Sequence, residues 1–453
     1  MNMEKTNSIT LMTSGNLKKQ ILAYTFPILI GYLFQQFYNT ADALIVGNFL
    51  GENALAAVTG VGSLTFLFIG FFNGFATGAQ VIVAREVGAN NAERTKKVVH
   101  TTTALGIVLS IIMTVTGVLF SKTLLEWMGT PESVLPLSNA YLRIYFLGSC
   151  AIVMYNMLVG ILRAGGDAKH PLYYLVASSL INIILDIIFI TVFKMGVEGA
   201  AIATVASEFL SMILCTYQLV KEDSMIHLSF KDIRFHKEEL KEILAYGFPT
   251  GLQGCVIDIA NVLIQSYINS FGAYAIAGLG AYSKVEGFMF LPVTSFSMAL
   301  TTFISQNVGA RKMERTRKGI LFGLATSLTI IELIGVIIYF FSPVFISAFN
   351  NNPKVVTYGV QRAKTCALFY CLVGFSHVVS AIMRGEGKPV VPVVVMLVCW
   401  CAVRVTVLLT IGQTIHDIRL ANYLYPITWT LSTIVYLIYL RNFHIFTPTV
   451  DEE

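Results

Sequence analysis

Twelve runs of about twenty mostly apolar residues, separated by short polar segments, constrain this chain more than any other feature. They fall at roughly 18–47, 54–82, 98–120, 138–162, 171–193, 199–220, 241–268, 274–303, 318–341, 357–383, 389–411 and 420–440. A helix of that length matches the hydrocarbon thickness of a bilayer, and a helix satisfies its own backbone there. The pattern predicts an all-α polytopic membrane protein with twelve transmembrane helices. Composition agrees: 55% of the 453 residues are hydrophobic, only 13% are charged, and mean hydropathy is +0.70. So few charges cannot cover the surface of a soluble protein this long, which ordinarily carries about a quarter charged residues.

Lys and Arg set the orientation. Twenty-two lie in alternate segments that include both ends of the chain, and the opposite loops hold Lys122, Lys194, Lys354 and Arg419. Arg143, Lys284, Arg362, Lys364 and Arg404 fall in or beside the spans. That asymmetry predicts cytoplasmic termini in a bacterial cytoplasmic membrane. No basic patch is interleaved with aromatics, so no nucleic-acid partner is expected. The seven cysteines sit in or beside apolar runs and read as packing; Cys399 and Cys401 lack a second pair at zinc spacing. The opening stretch Met1–Asn16 is polar, without the early apolar core of a signal peptide. There is no HExxH or GxSxG motif and no convincing catalytic pair, so neither an enzyme nor a cofactor is expected.

The chain repeats itself. ILAYTFP (Ile21–Pro27) returns as ILAYGFP (Ile243–Pro249), VGANNAERTKK (Val87–Lys97) as VGARKMERTRK (Val308–Lys318), and ILRAGGD (Ile161–Asp167) as IMRGEGK (Ile382–Lys388). The three echoes come in the same order and at nearly the same offset, that of Val87 to Val308 and of Ile161 to Ile382. Six spans separate equivalent points, which predicts two pseudo-symmetric six-helix bundles with a cavity between them. The expected division is 1–220 and 242–453, joined by a polar cytoplasmic linker at 221–241.

Ionisable groups inside spans are costly and therefore candidates for function. Asp42 lies about 10 Å below the outer end of span 1, and Asp186 about 10 Å below that of span 5, at 1.5 Å per residue. Asn182 is one turn below Asp186; in span 6, Thr204 is about 8 Å deep, with Glu208 one turn further. Two aspartates at one depth repel each other in a medium of low dielectric and relax by taking a proton or a cation. Amide and hydroxyl oxygens complete a shell suited to H⁺ or Na⁺. At the offset of the repeat Asn182, Asp186 and Thr204 become Val403, Val407 and Tyr425, so the cluster belongs to the first half alone.

Several stretches resemble the multidrug and toxic compound extrusion (MATE) family, and most closely its bacterial branch of DNA-damage-inducible exporters. They are PILIGYLFQQFYNTADALIVGNFLGENALAAV (Pro27–Val58), the VGA turn after span 2, ILRAGGD, QNVGA (Gln306–Ala310) and LGAYSKVEGFMFLP (Leu279–Pro292). The resemblance covers about 17–440. It implies a cation site on Asp42, Asn182, Asp186 and Thr204, with Tyr141 and Asn156 nearby and Pro27 as a bend in span 1. Another branch carries an Asp in span 10, which this chain lacks; His377 stands at the position equivalent to Asn156.

The expected function is antiport. H⁺ or Na⁺ enters from outside, and amphipathic, often cationic, organic compounds leave through a monomer embedded in lipid. Gln35, Phe37, Tyr38, Glu286 and His377, with Phe288, Met289 and Phe290, are candidates for the substrate cavity. The alternative is a flippase for lipid-linked precursors or a polysaccharide-lipid exporter. That reading wants a strongly cationic cavity, whereas only Lys284 and Arg404 lie well within spans. Asp258 and Arg404 are candidates for a structural pair.

Overall fold

The computed structural model describes residues 11–221 and 223–442; Lys5 and the rest of residues 1–10 lie outside them. The described residues form helices α1 to α16. In the first half these are α1 (Leu17–Leu50), α2 (Glu52–Gly60), α3 (Gly62–Gly88), α4 (Ala92–Trp127), α5 (Leu135–Leu147), α6 (Ser149–Ala164), α7 (Lys169–Ile187) and α8 (Val197–Lys221). The second half has α9 (Lys237–Asn269), α10 (Ala273–Gly309), α11 (Met313–Ser347), α12 (Pro353–Cys366), α13 (Tyr370–Glu386), α14 (Val390–Met396), α15 (Val403–Thr414) and α16 (Ile418–Asn442).

Ten stretches of helix are long and apolar enough to span a bilayer, and α5 with α6, bent by 49°, makes an eleventh. The twelfth is α1, whose 34 residues are ample in length. Its middle is polar (Gln35, Gln36, Asn39, Thr40 and Asp42), which is why hydropathy alone misses it. Two spans are completed by π-helical turns, Ile188–Val192 after α7 and Leu397–Ala402 between α14 and α15. Large apolar side chains remain uncovered on the helices, among them Leu119, Ile213, Phe340 and Leu409. In water such a surface would aggregate; in a bilayer it faces acyl chains.

The repeat extends to the backbone. Gly51 and Gly272 share φ 87°, Asn90 and Arg311 share φ 56°, and Gly166 and Gly387 have φ 88° and 100°. Each pair is related by the offset of the repeat. The amides that close the turns match as well: Asn91 N to Glu86 O (3.0 Å) with Lys312 N to Asn307 O (2.8 Å), and Asp167 N to Leu162 O (3.0 Å) with Lys388 N to Met383 O (2.8 Å). These are the wide hydrogen bonds that end a helix at a left-handed residue.

The chain falls into two compact units. Unit 1 holds residues 22–251, and unit 2 holds 252–308 and 312–453, with small exchanges at 1–21 and 309–311. The core of unit 1 is apolar, with Ile82, Val98, Met113, Phe146, Leu158 and Ile161 at its centre. One end of this unit gathers charge. Arg94 pairs with Glu86 (2.8 Å) and Glu242 (2.6 Å), while Ser229 N donates to His100 Nε2 (3.1 Å). The segment after α8 is therefore fastened to the start of α4. In unit 2 a smaller cluster, including Ile264, Leu279, Leu408 and Leu424, joins α9, α10, α15 and α16.

Candidate cation site and family

The candidate site is built within unit 1 by α1, α5, α7 and α8. The break between α5 and α6 falls at Gly148, and a Cβ there would meet Val205 Cγ atoms at 2.3 Å. Glycine thus lets α8 come close, which carries Thr204 beside Tyr141 of α5. Thr204 Oγ1 donates to Ala200 O (3.0 Å) and keeps its lone pairs for another partner.

Asp42 of α1 and Asp186 of α7 face each other within hydrogen-bonding reach. Two carboxylates have no proton to share, and neither finds a donor elsewhere. Asp42 Oδ1, both oxygens of Asp186, both amide atoms of Asn182 and Glu208 Oε2 are all buried without a hydrogen-bond partner. Buried polar atoms are nearly always paired, which makes this concentration of idle oxygens unusual. Chemically, the arrangement could share one proton between the aspartates or offer their oxygens, with the Asn182 carbonyl, to a small hard cation. The π turn begins two residues beyond Asp186 and locally opens the helix, a feature frequent at functional sites.

The remaining expected residues divide. Tyr38 sits among Asp42, Tyr141 and Glu208 with Gln35 against its hydroxyl. Its position one turn before Asp42 is the sequence signal that places it there. Phe37 is exposed. Asn156 donates to Ile152 O (2.8 Å) and lies beside Ile69, Phe72 and Asn73. Pro27 lies inside a continuous α1. In unit 2, Tyr282 donates to Glu286 (2.8 Å), Met289 is fully buried, and His377 packs edge-on against Phe290 and Trp400.

Arg404 does not pair with Asp258. Its Nε donates to Thr428 (3.0 Å), because α16 presents that hydroxyl directly. Glu332 has a plain role, with Oε2 accepting from Cys371 N (2.9 Å) where α13 begins.

The MatE family model matches residues 27–188 and 249–409, two blocks set apart by the offset of the repeat. The chain belongs to the MATE family. It is 30% identical over 393 residues to the probable multidrug resistance protein YpnP of Bacillus subtilis (strain 168), covering 86% of this chain and 88% of that one. Two solved structures, described as MATE in the straight and in the bent conformation, superpose with TM-scores of 0.89 and 0.88 at 26% identity. Each match covers 98% of this chain, with 99% of the straight form and 98% of the bent form. As a MATE protein the chain is a multi-pass membrane transporter and not an enzyme.

Proposed function

We propose that this MATE transporter is a cation-coupled antiporter that exports amphipathic, often cationic, organic compounds. The coupling ion, H⁺ or Na⁺, binds at Asp42, Asn182, Asp186 and Thr204, with Tyr141, Glu208 and Tyr38 around them. The observation that carries the reading is the set of buried, unpartnered oxygens on α1, α7 and α8. Such a set is costly empty and favourable once a cation enters. The naming of YpnP as a probable multidrug resistance protein supports drug export. Pro27 is proposed as the yielding point, since proline removes one backbone bond of α1 and makes bending inexpensive.

Neutralising the aspartates changes how α1 packs on α7 and α8, and drug and cation favour opposite conformations. The Lys and Arg asymmetry supports cytoplasmic termini; the proposal takes 1–220 and 242–453 as the lobes of a monomer and 221–241 as their linker. Everted membrane vesicles, with a cationic dye added outside, test the proposal by gradient-driven uptake of the dye under a pure pH gradient and a pure Na⁺ gradient. Transport driven by at least one gradient, and abolished in Asp42→Asn and Asp186→Asn, is expected. Full gradient-driven transport by Asp42→Asn overturns the coupling role.

A further inference from the structure

The second repeat lacks the aspartates, yet the equivalent positions are not apolar. Tyr141 and Thr204 of the cation site correspond, at the offset of the repeat, to Arg362 and Tyr425. Ala201 corresponds to Asn422, and Ile183 to Arg404. In unit 2 these four residues meet. The Arg362 guanidinium stands 3.8 Å from the centre of the Tyr425 ring and the Arg404 guanidinium 4.2 Å from it. Both arginines are buried, at 4% and 2% exposure. The sequence places Arg362 only in or beside a span; its side chain points into the packed interior of the unit.

The hydrogen-bond inventory here is the reverse of that in unit 1. Arg362 Nη1 donates to Ala421 O (2.9 Å) and Asn422 Oδ1 (3.2 Å), and Arg404 Nε donates to Thr428. Arg362 Nε, Arg404 Nη2 and Asn422 Nδ2 are buried and have no acceptor. Glu286 is the carboxylate whose charge reaches both arginines. Its Oε1 is taken by Tyr282, which in turn shares a 2.7 Å bond with Tyr370, and it forms no ion pair with either guanidinium. Two buried cations thus face one carboxylate that is engaged elsewhere. Stacking on tyrosine offsets part of the cost, but three idle donors remain. An arginine pair kept only for packing is readily replaced by apolar residues of similar volume.

We propose that Arg362, Arg404 and Asn422, arranged around Tyr425, form an anion site in the second repeat that takes the carboxylate or phosphate oxygens of an amphipathic organic acid. Guanidinium forks suit such planar or tetrahedral oxyanions. The site goes beyond the cation-coupled reading and is independent of it, because none of its residues belongs to the cation site. It extends the cargo to molecules that carry an acid group. A phospholipid headgroup or free phosphate presents the same oxygens, so the experiment separates the sources.

Two of the three tryptophans report on the site: Arg404 lies over Trp400 (5.3 Å), and Tyr425 packs edge-on against Trp429 (5.8 Å). Trp127→Phe protein in phosphatidylcholine nanodiscs leaves these two as emitters. It is titrated, without any ion gradient, with octanoate, octyl phosphate, inorganic phosphate, octanol and octyltrimethylammonium. Saturable change with octanoate or octyl phosphate, but not with octanol or the ammonium, is expected. Arg404→Gln and Arg362→Gln should raise half-saturation at least tenfold, whereas the exposed Lys284→Gln should leave it unchanged. A response to inorganic phosphate alone makes the ligand a free anion; a response only to added phosphatidylglycerol makes it a headgroup; both support the site. If the arginine variants do not fold, the wild-type contrast between octanoate and octanol decides. No saturable response to any anion, an equal response to octanol, or unchanged affinity in folded arginine variants overturns the proposal. Because no transport is measured, failure here leaves the antiport test standing, and failure there leaves this one.

Discussion

Gly74 of α3 and Gly251 of α9 touch backbone to backbone: a Cβ on Gly74 would stand 2.1 Å from Gly251 N. One turn away Gly78 meets Gly247 in the same manner, with a Cβ 2.6 Å from its amide. The two Gly-x-x-x-Gly pairs form a crossing of the kind that holds membrane helices together where lipid supplies no hydrophobic drive. Gly74→Leu cannot be accommodated by a rotamer change, since backbone is what it meets. Melting of the purified protein in nanodiscs should reveal a loss of at least about 1–3 kcal/mol. Gly60→Ala, where nothing lies within 4 Å, is the matched control and should be neutral.

The segment between α8 and α9 is held by few bonds, so each should be visible. Ser229 N donates to His100 Nε2, and His236 N donates to Thr101 Oγ1 (3.2 Å). His100→Ala leaves one amide without its acceptor, a cost of about 1 kcal/mol, or roughly a fivefold rise in local opening. Limited trypsin digestion at Lys231 and Arg234 should accelerate by that factor while the helical bundle stays intact.

Arg94 sits among Glu86, Glu239 and Glu242, at 2.8, 3.9 and 2.6 Å. Removing it leaves three carboxylates crowded at one end of unit 1. Arg94→Ala should cost about 1–2 kcal/mol, discounted because the arginine is itself part-exposed. Lys97→Ala, which breaks an exposed one-turn pair with Glu93, should leave the melting temperature essentially unchanged. Comparing the two variants in one thermal series checks the contrast.

At the start of α13 the Glu332 carboxylate replaces a missing helical acceptor for Cys371 N. Glu332→Gln retains an acceptor oxygen and should be nearly silent. Glu332→Leu orphans the amide and should lower stability by about 1–3 kcal/mol in the same melting assay.

What the sequence disclosed follows from periodicity and charge. Spans of about twenty apolar residues, the echoed turns, and the shared depth of Asp42 and Asp186 are all linear features, because helical rise converts position into depth. What it hid depends on azimuth and on local departures from the α-helix. Depth along α1 does not set direction around it, so the neighbours of Tyr38 (Asp42, Tyr141 and Glu208) show only in the packed structure. The π turns beside Asp186 and Arg404 have no hydropathy signal, although each lies two residues from a charged group. Arg362 and Arg404 look separate because they stand on different helices, α12 and α15; only Tyr425, on a third, reveals them as a pair.

The proposed coupling rests on the facing carboxyls of Asp42 and Asp186 exchanging a cation. Infrared difference spectra of the protein in nanodiscs, recorded between acid and alkaline buffer, observe the protonated carboxyl directly. The expected result is a protonated-carboxyl band in the wild type that is lost in both Asp42→Asn and Asp186→Asn, and that Na⁺ suppresses if Na⁺ uses the same oxygens. A band of full intensity in either variant would contradict it.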